Sequence, residues 1–197
     1  MAEDVVETFR PTSGRVMGFL ALALVVTLLV TAAWPGDQGF APYVVWGLLF
    51  GAVVAWSAML RPRLWATGSD LVLRNMVTTT YVPLAAIDDI AVRQVLAVRA
   101  GDRRYVSPVI GRKLRELTPL RQDKDGTTPA TMPYPLFVED RIHHLCERAR
   151  SQEGIANMSD EQLARADDVR REWAYPEIVA MVITGLGFVA SLLLALA

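Results

Sequence analysis

Glu139, His143 and Glu147 stand four residues apart in "EDRIHHLCE", a spacing that puts a carboxylate, an imidazole and a second carboxylate on one face of a helix. Such groups can hold a divalent cation or form an acid–base pair. The same spacing also describes the solvated face of an amphipathic helix, and the sequence contains no HExxH, CxxC or glycine-rich phosphate loop to complete a site. His143 and His144 are adjacent, so they project about 100° apart and cannot serve one centre. Cys146 falls on the apolar side of the same stretch beside Leu145; nothing near it in sequence would lower its pKa, so it reads as a packed thiol. As the single cysteine it cannot form an internal disulfide, which fits a reducing compartment. The expectation is a protein that is not an enzyme, with no catalytic residue, metal or cofactor; a membrane metalloenzyme centred on Glu139, His143 and Glu147 is the alternative.

The arginines carry a stronger signal. Residues 61–115 hold ten basic and four acidic side chains, a balance of +6, whereas residues 116–177 hold eight basic and thirteen acidic ones, a balance of −5. Arg103, Arg104, Arg112, Lys113 and Arg115 cluster after a Gly101-Asp102 turn, and Arg61 and Arg63 open the segment. A basic side chain close to an anionic leaflet contributes up to about 1 kcal/mol. Equally, these charges can pair with the acidic helices and with solvent. These basic residues are the expected contacts to lipid or to a protein partner. Nucleic acid is not an expected partner: Tyr105 is the one aromatic candidate among the arginines, which makes no stacking platform, and a net charge of −1 gives no bulk attraction.

The elements that must position these residues begin with three charge-free apolar runs, over residues 16–34, 43–60 and 178–197. Each has the length that spans a hydrocarbon core of about 30 Å at about 1.5 Å per residue. The first run is longer than a secretory signal's apolar core, and Glu3, Asp4 and Glu7 stand before it beside Arg10 and Arg15, so it reads as a retained helix although Thr31-Ala32-Ala33 would pass as a cleavage site. The connection "PGDQGFAP" is short enough to force an antiparallel hairpin and carries no Lys or Arg, whereas arginines flank the other ends of the runs. By the positive-inside rule, residues 61–177 are expected in the cytoplasm and the C-terminus outside a plasma (inner) membrane. Trp34, Tyr43 and Trp46 would then mark the outer interface, and Trp65, Trp173 and Tyr175 the inner one. No ionisable residue lies within the runs, which argues against a proton relay. Gly47, Gly51 and Ala55 form a smooth strip for helix packing, either within the chain or in a homodimer.

Residues 64–107 change to short runs rich in Val, Thr, Ile and Tyr, broken by Gly68-Ser69-Asp70, Pro83 and Gly101-Asp102, the pattern of an antiparallel meander ending in a hairpin. A Pro- and Thr-rich loop follows over residues 118–135. Phe137, Val138, Ile142, Leu145 and Ala149 then recur at helical spacing, predicting an amphipathic helix over 135–151. Ser159 with Gln162 forms a capping box and Met158 with Leu163 a hydrophobic staple, predicting a helical stalk from 160 to 175, interrupted or kinked at Pro176.

The stretch "LWATGSDLVLRNMVTTTYVPLAAIDDIAVRQVLAVRAGDRRY" resembles the bacterial pleckstrin-homology-like (PH-like) domain of small actinobacterial membrane proteins, the family that includes a mycobacterial low-molecular-weight antigen. The shared features are Leu73-Arg74-Asn75 ending a strand, Val82-Pro83 before Ile87-Asp88-Asp89-Ile90, and a glycine-turn hairpin near Gly101. The resemblance covers about 45 of 197 residues. It implies a curved β-sheet capped by one C-terminal helix, and a membrane anchor of N-terminal helices; the 118–135 loop and the third apolar run depart from it, and it carries over no site residue. The expected architecture is a membrane α-helical anchor plus an α+β cytoplasmic domain: a tail at 1–15, a helical hairpin at 16–60, a PH-like domain at 61–151, a stalk at 152–176 and a third membrane helix at 177–197. The expected function is a non-catalytic interaction or scaffold module for a protein partner, with recognition of anionic lipid headgroups as the alternative.

Overall fold

The structure, a computed structural model, describes residues 5–11, 14–32, 40–111 and 133–197. Arg112, Lys113, Arg115 and Trp34, and the greater part of the expected 118–135 loop, lie outside the described residues. The chain forms two compact units. One takes the described residues of Met1–Ser13, Arg63–Asn75 and Thr79–Glu172; the other takes those of Gly14–Pro62, Met76–Thr78 and Trp173–Ala197.

The first unit is α+β. Apart from Thr78 and Trp173, which fall to the other unit, it holds the strands β1 (Val5–Phe9), β2 (Arg63–Thr67), β3 (Asp70–Arg74), β4 (Thr78–Pro83), β5 (Ile87–Val92), β6 (Leu96–Ala100), β7 (Arg103–Ser107) and β8 (Arg170–Trp173). They make a five-stranded sheet in the order β1-β2-β3-β4-β8 and a three-stranded sheet in the order β5-β6-β7. The pairs β1–β2, β2–β3, β3–β4, β5–β6 and β6–β7 are antiparallel. Leu71, Val72 and Leu73 are all closed to solvent, as befits a central strand, whereas β4 alternates buried and half-buried positions. At the β2–β3 turn the Asp70 N–H donates to Thr67 Oγ1 at 3.0 Å, holding the reversal that Gly68 and Ser69 make.

Both sheets share one apolar core with a long helix. Leu64, Leu71, Leu73 and Val82 from the larger sheet meet Ile90, Leu96 and Val98 from the smaller, with Val138, Ile142, Leu145 and Cys146 from α3 (Tyr134–Glu153). Helix α3 ends at Gly154, whose positive φ of 70° closes the last turn in the left-handed region. Phe137 was expected on its buried face but is exposed: it sits at the flank of the Val138–Ile142–Leu145 stripe and stacks on Tyr134 with ring centroids 6.4 Å apart. A bulge between Ile87 and Asp89 bends β5. The Ile87 carbonyl accepts from Arg150 Nη1 and Gln162 Nε2, and the Asp88 carboxylate accepts from the Gly101 N–H at 2.7 Å.

The expected 160–175 helix is α4 (Asp160–Ala166), seven residues long, followed by β8, because residues Arg170–Trp173 satisfy their backbone on the open edge of β4 instead. Pro176 does not break that helix but lies in the first turn of the next, where its missing N–H has no intrahelical partner to lose. The capping bonds of α4 do form, from the Gln162 N–H to Ser159 Oγ at 3.2 Å and from the Met158 N–H to Gln162 Oε1 at 2.7 Å, yet the staple residues Met158 and Leu163 are both exposed. Residues of the expected N-terminal tail form β1, an edge strand paired to β2.

The second unit consists of α1 (Arg15–Ala32), α2 (Pro42–Ala55) continued by a π-helical turn (Trp56–Leu60), and α5 (Tyr175–Leu196). Each of the three spans is long and apolar enough to cross a membrane, at 18, 19 and 22 residues. Helices α2 and α5 interlock through missing side chains. A Cβ at Gly187 would sit 2.5 Å from the Trp46 ring, and one at Gly47 would sit 3.2 Å from Phe188. Gly47 therefore packs within the chain, whereas a Cβ at Gly51 would meet open space and Ala55 is half-buried.

Candidate functional site

The site grows out of the hairpin that joins β6 to β7. Gly101, with a φ of +57°, takes the first central position of a two-residue turn with Asp102, the type II′ pattern that glycine permits. That turn fixes the register: Ala100 faces Arg103, Arg99 faces Arg104, and Val98 faces Tyr105. On the other side of β6, Asp89 faces Arg99 and Ala91 faces Ala97. Because side chains alternate along a strand, Ile90 and Val98 go into the core while Asp89, Arg99 and Arg104 form a row across the outer face.

Beside that row the sheet is concave. Asp89, Ala91, Arg93, Ala97, Val98, Arg99 and Arg104 line a cavity of about 300 Å³. Alanines lie at two of the central positions, so the surface is recessed where longer side chains would fill it. Three guanidinium groups and one carboxylate surround the recess. Among the described residues, Arg93, Arg99 and Arg104 make no ion pair; Asp89 lies across from Arg99 in register without a bridge inside 4.0 Å. Arg99 and Arg104 oppose each other directly, and like charges so placed on a sheet destabilise it. A bound anion reverses the sign of that interaction, and the forked donors of arginine match phosphate or carboxylate oxygens two at a time. The arrangement can bind and orient an anion.

The basic residues expected as contacts divide. Arg104 lines the concavity. Arg103 is exposed but lies one register step nearer the turn, facing Ala100, and so belongs to the opposite face. Arg63 is exposed at the start of β2. Arg61 is 7% exposed, and its Nε donates to Glu177 Oε1 at 2.6 Å. Arg93 and Arg99 were not singled out in the sequence, although a two-residue Gly-Asp turn already implies that Arg99 faces Arg104.

Helix α3 does not gather its acidic and imidazole groups. Glu139 Oε2 accepts from the Val92 N–H at 3.1 Å, which ties the helix to β5, and His144 lies 3.6 Å from Asp140 and 3.5 Å from Glu147. Among the described residues no three His, Cys, Asp or Glu side chains converge as a metal site would require. Cys146 is 1% exposed, and burial pushes its thiol up to about 12, away from the thiolate a nucleophile needs. No protein-family model matches the chain, and no curated protein or solved structure matches it either.

Proposed function

We propose that the protein is a multi-pass plasma-membrane protein whose β unit is a PH-like, non-catalytic recognition module on the cytoplasmic side, reading phosphate-bearing anionic headgroups through Arg93, Arg99 and Arg104. The observation that carries this reading is the recess floored by small residues and edged by three guanidinium groups with no ion-pair partner among the described residues. Bilayer placement is supported by three apolar helices of spanning length, and orientation by arginines that flank residues 61–177 while the 35–42 connection has none. The PH-like reading is supported by the residues that carry the resemblance, and by two antiparallel sheets sharing a core with a following helix.

Tethering makes weak contacts sufficient. A module joined to membrane helices at Pro62 and again at Trp173 meets headgroups as an effectively intramolecular ligand, so affinity that would be negligible in free solution becomes occupancy. The test uses the full chain in nanodiscs of zwitterionic or anionic lipid, with hydrogen exchange followed over residues 87–107. Expected is protection in anionic discs alone, weakened at high salt and lost in Arg99→Glu/Arg104→Glu. Equal exchange in both lipids would remove the headgroup reading, and the basic face would then pass to a protein partner, to be sought by crosslinking in native membranes.

A further inference from the structure

We infer that the three-helix unit contains a second site, an open groove of about 420 Å³ that takes a neutral, hydroxyl-bearing lipid from the bilayer. This rests on the proposed placement of these helices in a membrane. Leu22 of α1, Val53 of α2, Trp56 and Ser57 of the π-helical turn, and Glu177 and Ala180 of α5 line it. The volume lies in the range of small-molecule sites, and the walls are apolar apart from Ser57 and Glu177.

Ser57 supplies the independent observation. Other hydroxyls on these helices satisfy themselves locally: Thr27 donates to the Ala23 carbonyl at 2.9 Å, Thr31 to Leu28 at 2.8 Å, Thr184 to Ala180 at 2.7 Å and Ser191 to Phe188 at 3.0 Å. Ser57 is 0% exposed, and among the described residues its Oγ has no hydrogen-bond partner. It sits where α-helix gives way to the π-helical turn Trp56–Leu60, a local geometry that recurs at functional sites. A buried hydroxyl that has lost water without gaining a partner is costly to keep, and it lies in the wall of a groove large enough to bring one. One side-chain torsion separates its rotamers, so its hydroxyl can turn toward an occupant.

The head of that occupant is neutral because the charges at this end already cancel: Arg61 Nε meets Glu177 Oε1 at 2.6 Å. A phosphate would face the Glu177 carboxylate, whereas a hydroxyl both donates and accepts and so complements Ser57 in either orientation. The apolar walls suit the chain that follows the head.

The experiment uses the full protein in nanodiscs after alkaline carbonate extraction of native membranes. Release by carbonate would overturn the bilayer placement itself; retention leaves the groove as the question. The probes are a diazirine-bearing hexadecanol and the matching diazirine-bearing hexadecane, with crosslinked peptides mapped by mass spectrometry. Expected is at least three-fold stronger labelling of residues 52–57 and 176–180 by the alcohol than by the alkane. Ser57→Ala, nearly isosteric, brings the alcohol down to the alkane's level, and Ala180→Phe, which fills the groove, abolishes both. Equal labelling of the wild-type chain by alcohol and alkane, or unchanged alcohol labelling in Ser57→Ala, would overturn the site.

Discussion

Cys146 and Arg61 show two ways a buried ionisable side chain is accommodated. The thiol stays neutral: burial first, then the nearby Glu147 carboxylate, hold it up to about 12 against the partial opposition of Arg150. Its folded pKa is raised, so its contribution to stability is complete below the unfolded thiol's pKa and is lost as pH rises above that value toward 12. The thermal stability of the wild type is therefore expected to fall relative to Cys146→Ala between about pH 9 and 11, by about 1.4 kcal/mol per pH unit, in paired melts across that range. A constant gap between the two would contradict the buried thiol. Arg61 is held by Glu177. Removing one partner leaves a buried charge, so Arg61→Ala is expected to destabilise by about 3 to 5 kcal/mol, while Arg61→Met with Glu177→Met costs much less. Thermal unfolding of the full chain in detergent checks this, and a double variant as unstable as the single one would show that the pair is not the cause. The thiol's setting was legible from helical spacing within residues 138–149, because both signals are local. The arginine's was not, since its partner lies 116 positions away.

At the scale of elements, what the sequence displayed was whatever short-range chemistry decides. The hairpin at Gly101, the alternating β4, helix α3 and the Ser159 cap were all readable from neighbouring residues. The edge strands β1 and β8 were not: each is only five or four residues long, and β8, "RREW", is exposed at every position with no alternation to announce it. It is a strand because β4, some ninety positions earlier, offers an open edge. The candidate site follows the same division, with Arg104 apparent beside its turn, and Arg93 and the alanine floor brought in by the pairing of β5 with β6. Local chemistry predicts that Ser159→Ala loses the bond to the Gln162 N–H and about 1 kcal/mol of stability, seen as faster hydrogen exchange over residues 160–166. Packing predicts a larger effect at Gly187, where a Cβ would lie 2.5 Å from Trp46; Gly187→Leu must part α2 from α5 and lower the melting temperature of the full chain by several degrees. An unchanged melt would mean that Trp46 turns aside without cost.

The chain divides its charge within the first unit, which holds nearly all of both halves. Residues 61–115 are basic and residues 116–177 acidic, so the chain's net charge of −1 conceals two opposed fields. An anionic leaflet attracts the first and repels the second, and under the proposed topology both lie on the same side of the bilayer. If the arginines meet an anionic leaflet as proposed, the expected consequence is orientational: the module turns its Arg99–Arg104 face toward the lipid, a preference that weakens as salt shortens the Debye length from about 10 Å at 0.1 M to about 3 Å at 1 M. This orientation depends on sidedness, which a labelling experiment decides. In a Cys146→Ala background, a cysteine at Asp102→Cys on the exposed hairpin turn is expected to react with an impermeant maleimide only after cells are opened, whereas Ala197→Cys at the end of α5 reacts on intact cells. The opposite pattern would place the arginines facing outward and remove the cytoplasmic leaflet as their target. Protection of position 102 in opened cells, with position 197 still labelled on intact ones, would mean that something covers the hairpin, and the partner on the basic face would then be protein in place of lipid.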